Sequence, residues 1–138
     1  MVPFAGYEMP VVYSEGIIKE HLHTRQHVGI FDVSHMGQVK IVGKDASRFL
    51  EKYTVADLKA LEEGKATLSL ITNEQGGVKD DCIITKVNNN EYFVVINAGC
   101  KEKDLEHFNF HLTSKEWNKK DVAIHYNENH SLIAVQGP

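Results

Sequence analysis

The chain has 138 residues, 42% apolar and 25% charged, with a formal charge of −4. That length suits one domain, or one domain with pieces of another, and the apolar share is enough for a real core. The charge offers nucleic acid or an anionic membrane no attraction, and no run approaches the roughly 20 apolar residues of a membrane helix. Cys82 and Cys100 are the only cysteines and form no CxxC pair, which argues against a disulfide scaffold and suits a reducing compartment.

Pro3, Gly6 and Pro10 break any period in residues 1–13, so a loop is expected there. Ser14 is placed to cap a helix running to about Val28, with Ile17, Ile18 and Leu22 on one side and Gly29 as its stop. "IFDVSHMG" reads as a short strand passing into a loop, and "QVKIVG" as a half-buried strand. Asp45 is the expected cap of a short helix containing Phe49, Leu50 and Tyr53. "ATLSLIT" and "DDCIITKV" are strands joined by a glycine-bearing turn, and "EYFVVINA" is a third. "CKEKDLEHFNFHL" predicts an amphipathic helix with Leu105, Phe108 and Leu112 inward. "DVAIHY" and "SLIAVQG" supply two more strands. The order predicts an α+β fold, an antiparallel sheet with two helices on one face, close to the ferredoxin-like arrangement.

Candidate chemistry is sparse. His107 and His111 share a helix face, but the residues between them lack the Glu of a zinc-protease helix and no third ligand is signalled. A surface face without metal is expected, and the same holds for His21, His23 and His27. Cys100 stands at a helix start, yet no histidine is near it in sequence to act as base, so a structural thiol is expected. Cys82 alternates with apolar residues and reads as a small core hydrophobe. Ser34 and His35 are adjacent and would not form a nucleophile–base pair. Met36 reads as core or as lining for a flat ligand. Asp80 and Asp81 open a strand that is otherwise apolar. On an extended strand they face opposite sides, which excludes a paired dyad. Alternation alone leaves open which one turns inward, and whether either leaves the solvated turn end for a pocket.

Five stretches occur together in order: "MVPFAGYEMP", "FDVSHMG", "TLSLITNEQGGVKDDCIITK", "VVINAGCKEKD" and "SLIAVQGP". Over essentially the whole length they resemble the N-terminal part of the aminomethyltransferase family, the T-proteins of the glycine cleavage system. Members are longer and arrange three subdomains around a central folate site. The resemblance implies that residues 1–37 and 128–138 belong to the first subdomain and 38–127 form a ferredoxin-like second. No leader precedes the first stretch and the chain stops just after a strand-like run, so an N-terminal piece of a longer protein is expected, with any targeting segment outside it.

The implied reaction moves an aminomethyl group from the lipoyl arm of H-protein to tetrahydrofolate and releases ammonia. By position in the family's motifs, Asp81 is the implied catalytic and folate-orienting carboxylate, leaving Asp80 as a turn-side structural acid. Asn97 is an implied hydrogen-bonding partner of the folate, and Met36, Leu68, Phe93 and Val95 its apolar lining. "FAGY" stands where "FAGW" is frequent, and Thr67-Leu68 where many bacterial members have Leu-Tyr. The family's folate-contacting Glu and Arg lie beyond position 138, so this stretch alone is not expected to catalyse. "NAGCKEKD" and "DDCIITK" look eukaryotic, implying the mitochondrial matrix, with a bacterial cytoplasm as the alternative. Competing readings are a folate-binding accessory protein of the iron–sulfur assembly kind and an inactive folded piece.

Overall fold

In the computed structural model, which describes all 138 residues, the elements run β1 (Val2–Phe4), β2 (Tyr7–Met9), α1 (Ile17–Gln26), β3 (Gly29–Asp32), β4 (Gly37–Val42), α2 (Ala46–Tyr53), β5 (Ala66–Thr72), β6 (Val78–Asn88), β7 (Glu91–Ile96), α3 (Lys101–Leu112), β8 (Ala123–Tyr126) and β9 (Ile133–Gln136). They divide into two units, residues 1–35 with 129–138, and residues 36–128.

In the first unit, the loop expected over residues 1–13 is corrected to a hairpin of β1 and β2. Ala5 and Gly6 both adopt positive φ, 49° and 83°, the left-handed pair that joins two strands through a two-residue turn. Pro3 is tolerated because a two-stranded ribbon consists only of edges. The helix expectation is corrected as well. α1 starts after Gly16, whose φ of 82° turns the chain into it, and no side chain caps it, Ser14 included. It ends at Gln26, and Gly29 belongs to β3, which pairs antiparallel with β9. Ser34 Oγ accepts from the Leu132 amide at 2.9 Å, which anchors the turn after β3 to the start of β9.

In the second unit, five antiparallel strands stand in the order β5-β6-β7-β4-β8. The β8-β4-β7-β6 part has the ferredoxin-like order, with β5 added outside β6. Both α2 and α3 cover one face. Val39, Ile41, Ile71, Ile84, Val94 and Ile96 from the strands meet Phe49, Leu50 and Tyr53 of α2 and Phe108 of α3. Trp117, beyond α3, is buried edge-on to Phe49 and donates its indole N–H to the Tyr53 hydroxyl at 2.9 Å. Gly43 (φ 122°) lets β4 turn past the segment before β8, since a Cβ there would meet the Asp121 carbonyl at 2.0 Å. Asp45 holds the N-cap position of α2 but its carboxylate accepts from the Asp121 amide at 3.0 Å instead of capping the helix.

The inward stripe of α3 differs from the expected one. Asp104, Phe108 and His111 are buried, while Leu105 and Leu112 flank the core partly exposed. The surface placement expected for His107 and His111 is therefore corrected: His111 is 7% exposed and His107 is half-buried. His111 stacks on Tyr53 with ring centroids 4.0 Å apart, and His107 donates Nε2–H to the Thr72 carbonyl at 3.0 Å. Two neutral imidazoles behave here as aromatic packing with a polar edge.

Truncating Phe49, which is fully buried against Tyr53, Phe108 and Trp117, is expected to destabilise the chain by about 3–5 kcal/mol in urea unfolding. Burial lowers the pKa of both His107 and His111 from 6.5. The unfolded chain then binds more protons than the folded one just below pH 6.5, so these groups lose stability as pH falls from there. His111→Phe keeps a ring on Tyr53 without titrating. Its stability relative to the wild type is expected to rise as pH drops from 7 to 5, read from thermal midpoints, and a constant difference would contradict this assignment.

Candidate functional site

The covered face of the sheet takes Cys82 and Ile84 from β6, Ser69 and Ile71 from β5, and Tyr92, Val94 and Ile96 from β7, all buried. The opposite set projects from the other face, which neither α2 nor α3 covers. Register places Leu68, Ile83, Val95 and Gln38 in one row across β5, β6, β7 and β4. Thr85, Phe93 and Lys40 form the next row, and Leu70 pairs with Asp81 on the other side. Leu68 is 69% and Ile83 45% exposed, so this face presents apolar surface to solvent. An antiparallel sheet left open on one side ordinarily turns polar residues outward. An apolar open face marks a contact surface.

At one end of this face the chain concentrates its hydrogen-bonding groups. Asn97 follows the last residue of β7, and its side-chain Nδ2 lies 3.1 Å from Asp80 Oδ1 and 2.9 Å from Asp81 Oδ1. The two aspartates face opposite sides as expected, and the amide of Asn97 joins them. Their Cβ atoms do point to opposite faces, Asp81 to the open one and Asp80 to the helix side. Beyond the Cys82–Ile96 pair, however, the β6–β7 ladder ends, and an amide from the end of β7 reaches both carboxylates. Because both partners are acceptors, the Asn97 amide is oriented with its N–H groups toward them. Its Oδ1 remains as an acceptor that neither carboxylate uses. The edge of the open face is accordingly built from acceptors, Asp81 and Asn97 Oδ1, and it suits a ligand edge carrying N–H donors.

Asp80 is not the simple turn-side acid expected. Burial alone would raise its pKa, but hydrogen bonds from the Cys100 thiol, Asn97, Asp104 and the Asp81 backbone overcome this and hold it below the usual value. Asp104, in the first turn of α3, is fully buried, and burial first, then its neighbour Asp80, pushes its carboxyl up to about 7. The Cys100 thiol is pushed up chiefly by its hydrogen bond to Asp80 and secondly by burial. Cys100 is therefore a proton-bearing donor, a structural thiol as expected. Cys82 is buried in the core, and its thiol rises to about 12, with burial the main cause.

Of the six residues singled out from sequence, Leu68, Asp81, Phe93 and Val95 lie on the open face, and Asn97 at its end. Met36 stands one residue before β4, half-buried, two positions ahead of Gln38. A separate concavity of about 910 Å³ lies in the first unit, lined by residues such as Val11, Tyr13, Ile30 and Phe31 and by none of the six. Its size does not make it the chemical centre, because the joined carboxylates lie elsewhere. No three His, Cys, Asp or Glu side chains gather as a metal site.

The family model described as the GCVT N-terminal domain matches residues 1–138. The chain belongs to this family. The GCVT domain is 51% identical to the mitochondrial aminomethyltransferase of Dictyostelium discoideum, 46% to that of Pisum sativum and 44% to that of Homo sapiens, in each case with all of this chain and 34% of the relative covered. It thus spans about a third of the length of these relatives. The crystal structure of glycine cleavage system aminomethyltransferase T from Bartonella henselae superimposes with a TM-score of 0.88 at 34% identity, over 99% of this chain and 36% of that one. The α+β fold read from the strand pattern agrees with this likeness.

Sequence reasoning missed the part played by Asp104 in this GCVT domain, because an acidic residue in a first helical turn is ordinarily explained by the helix dipole. A signal was present: Asp104 precedes Phe108 by four and His111 by seven, which puts it on the buried stripe. Replacing Asn97 by Leu removes the shared donor and leaves Asp80 short of a partner. A destabilisation of about 1–3 kcal/mol in urea unfolding is expected, and a change within measurement error would show that the bridge is not formed.

Proposed function

We propose that this GCVT N-terminal domain supplies the folate-binding sheet face of a tetrahydrofolate-dependent aminomethyltransferase of the glycine cleavage system. The observation that carries the reading is the joining of an exposed apolar sheet face to an edge made of acceptors. A reduced pterin is a flat ring with N–H donors along its edge, so the residues present fit it. Leu68, Phe93 and Val95, with Met36 at the margin, supply apolar walls, and Asn97 and Asp81 supply the few fixed polar groups such a site needs.

Tetrahydrofolate, when bound, contributes the amines that accept the one-carbon unit brought by the lipoyl arm of H-protein. The chain's own task is positioning. Asp81, on the open face, accepts an N–H from the reacting amine, orients it, and stabilises positive charge developing there. Asn97 fixes the Asp81 carboxylate from behind and offers Oδ1 to a second ligand donor. The names of the relatives support the aminomethyltransferase reading, and those of the eukaryotic ones support a mitochondrial matrix location.

The test uses the Dictyostelium enzyme with its matching third replaced by this chain, assayed for glycine cleavage with lipoylated H-protein and tetrahydrofolate. The chimera is expected to be active. Asp81→Asn in it is expected to lower kcat about a hundredfold or more, with smaller effects from Leu68→Ala on KM. Undiminished turnover in the Asp81→Asn chimera would overturn the role of Asp81.

A further inference from the structure

Beneath the open face, three buried carboxyl oxygens, Asp80 Oδ2 and both of Asp104, receive no N–H and no hydroxyl or amide donor from elsewhere in the chain. Asp104 is fully buried on α3 and neither of its oxygens meets a donor, while the neighbouring carboxyl that acts on it most strongly is Asp80. Two carboxyl groups can hydrogen-bond only if one carries a proton. Lys103 does not replace that proton. Its Nζ is 3.8 Å from Asp104 Oδ1, beyond hydrogen-bond reach, and donates at 2.6 Å to the Lys79 carbonyl. The other titratable groups facing the pair are Lys79 and Cys82 from β6 and Cys100 from the turn before α3.

We propose that Asp104 and Asp80 form a carboxylic acid–carboxylate pair sharing one proton, and that this pair is a positioning device that holds Asn97 and, through Asn97, orients Asp81. Asp104 donates O–H to Asp80, which keeps the single negative charge. Asp80 then has a defined lone pair for Asn97 Nδ2, and the second N–H of the same amide goes to Asp81. Neither Asp80 nor Asp104 touches the ligand. If the shared proton leaves, two buried carboxylates repel, one must turn away, and Asn97 loses an anchor.

A direct consequence is that the acceptor edge is competent only while Asp104 is protonated. Burial and the Asp80 charge raise the carboxyl of Asp104 to about 7, so its folded-state value lies above the unfolded 3.8. The folded chain binds the extra proton between these values, and the stability it confers is full at low pH and lost as pH rises through about 7. This sign is opposite to that of His107 and His111.

The extension to folate positioning rests on the function proposed above, but the pair itself is tested without any ligand. On the 138-residue chain, isotope-edited infrared spectra of Asp and nuclear magnetic resonance of the Asn97 side-chain amide are recorded from pH 5 to 9. We expect a protonated-carboxyl band at pH 6 that disappears with a midpoint near 7, and Asn97 amide shifts following the same midpoint. In Asp104→Asn, whose carboxamide still donates to Asp80, the band should be lost while the Asn97 shifts stay at their low-pH position throughout. Reduced-folate affinity in the wild type should fall about tenfold per pH unit above the midpoint and stay flat in Asp104→Asn. Absence of the band in the wild type, which requires no variant to fold, would overturn the proposal. So would Asn97 shifts that titrate identically in the variant. A chain that binds no reduced folate at any pH, yet shows the band and the linked shifts, would count against the folate reading and leave the carboxyl pair standing.

Discussion

The two helices α2 and α3 lie on the same face of the five-stranded antiparallel sheet, and the second unit is organised around that asymmetry. α2 and α3 seal Val39, Ile41, Ile84, Val94 and Ile96 beneath Phe49, Phe108 and Trp117. Leu68, Asp81 and Ile83, of the other parity, are left exposed. On most open sheets this outer set would be polar, yet here Leu68, Ile83 and Val95 share one cross-strand row. The strict two-residue period therefore does double service. It builds the core on one side and an apolar platform on the other, with no extra element needed to display the platform.

The polar end of that platform obeys a different constraint. Carboxylates at the border of a buried region must be paired, protonated or hydrated. Asp81 meets the requirement through exposure and through Asn97. Asp80, facing the helices, meets it through donors from Asn97, Cys100 and the Asp81 backbone together with the Asp104 carboxyl. The Asn97 amide is the hinge between the two environments, since one side-chain nitrogen serves both carboxylates. Its position just past β7 lets it do so, because a residue inside the ladder would point to one face only.

The membership of the GCVT N-terminal domain family and the likeness to an aminomethyltransferase of known structure agree with this picture at the level of fold. The chemistry argued for the open face stands on its own geometry. An apolar platform with an edge of acceptors is a description of the kind of ligand the site can bind.

The succession of strands and the helices of the second unit were legible in the sequence, because alternation and helical spacing are local consequences of backbone geometry. The same local reasoning failed at residues 1–13, where Ala5 adopts a positive φ that its type does not advertise, and at Ser14, where Gly16 rather than a side chain starts the helix. It failed for His107 and His111 because burial depends on what packs above a helix, here Tyr53 and its neighbours. By itself the sequence determined that Asp80 and Asp81 begin a strand and point apart. Only the tertiary structure decided that they act together, since Asn97 and Asp104 arrive from residues 16 and 24 positions further along the chain and meet them across β7 and α3. Hydrogen bonding and desolvation act through space, and a pattern read along the chain carries no record of which distant groups will share a proton.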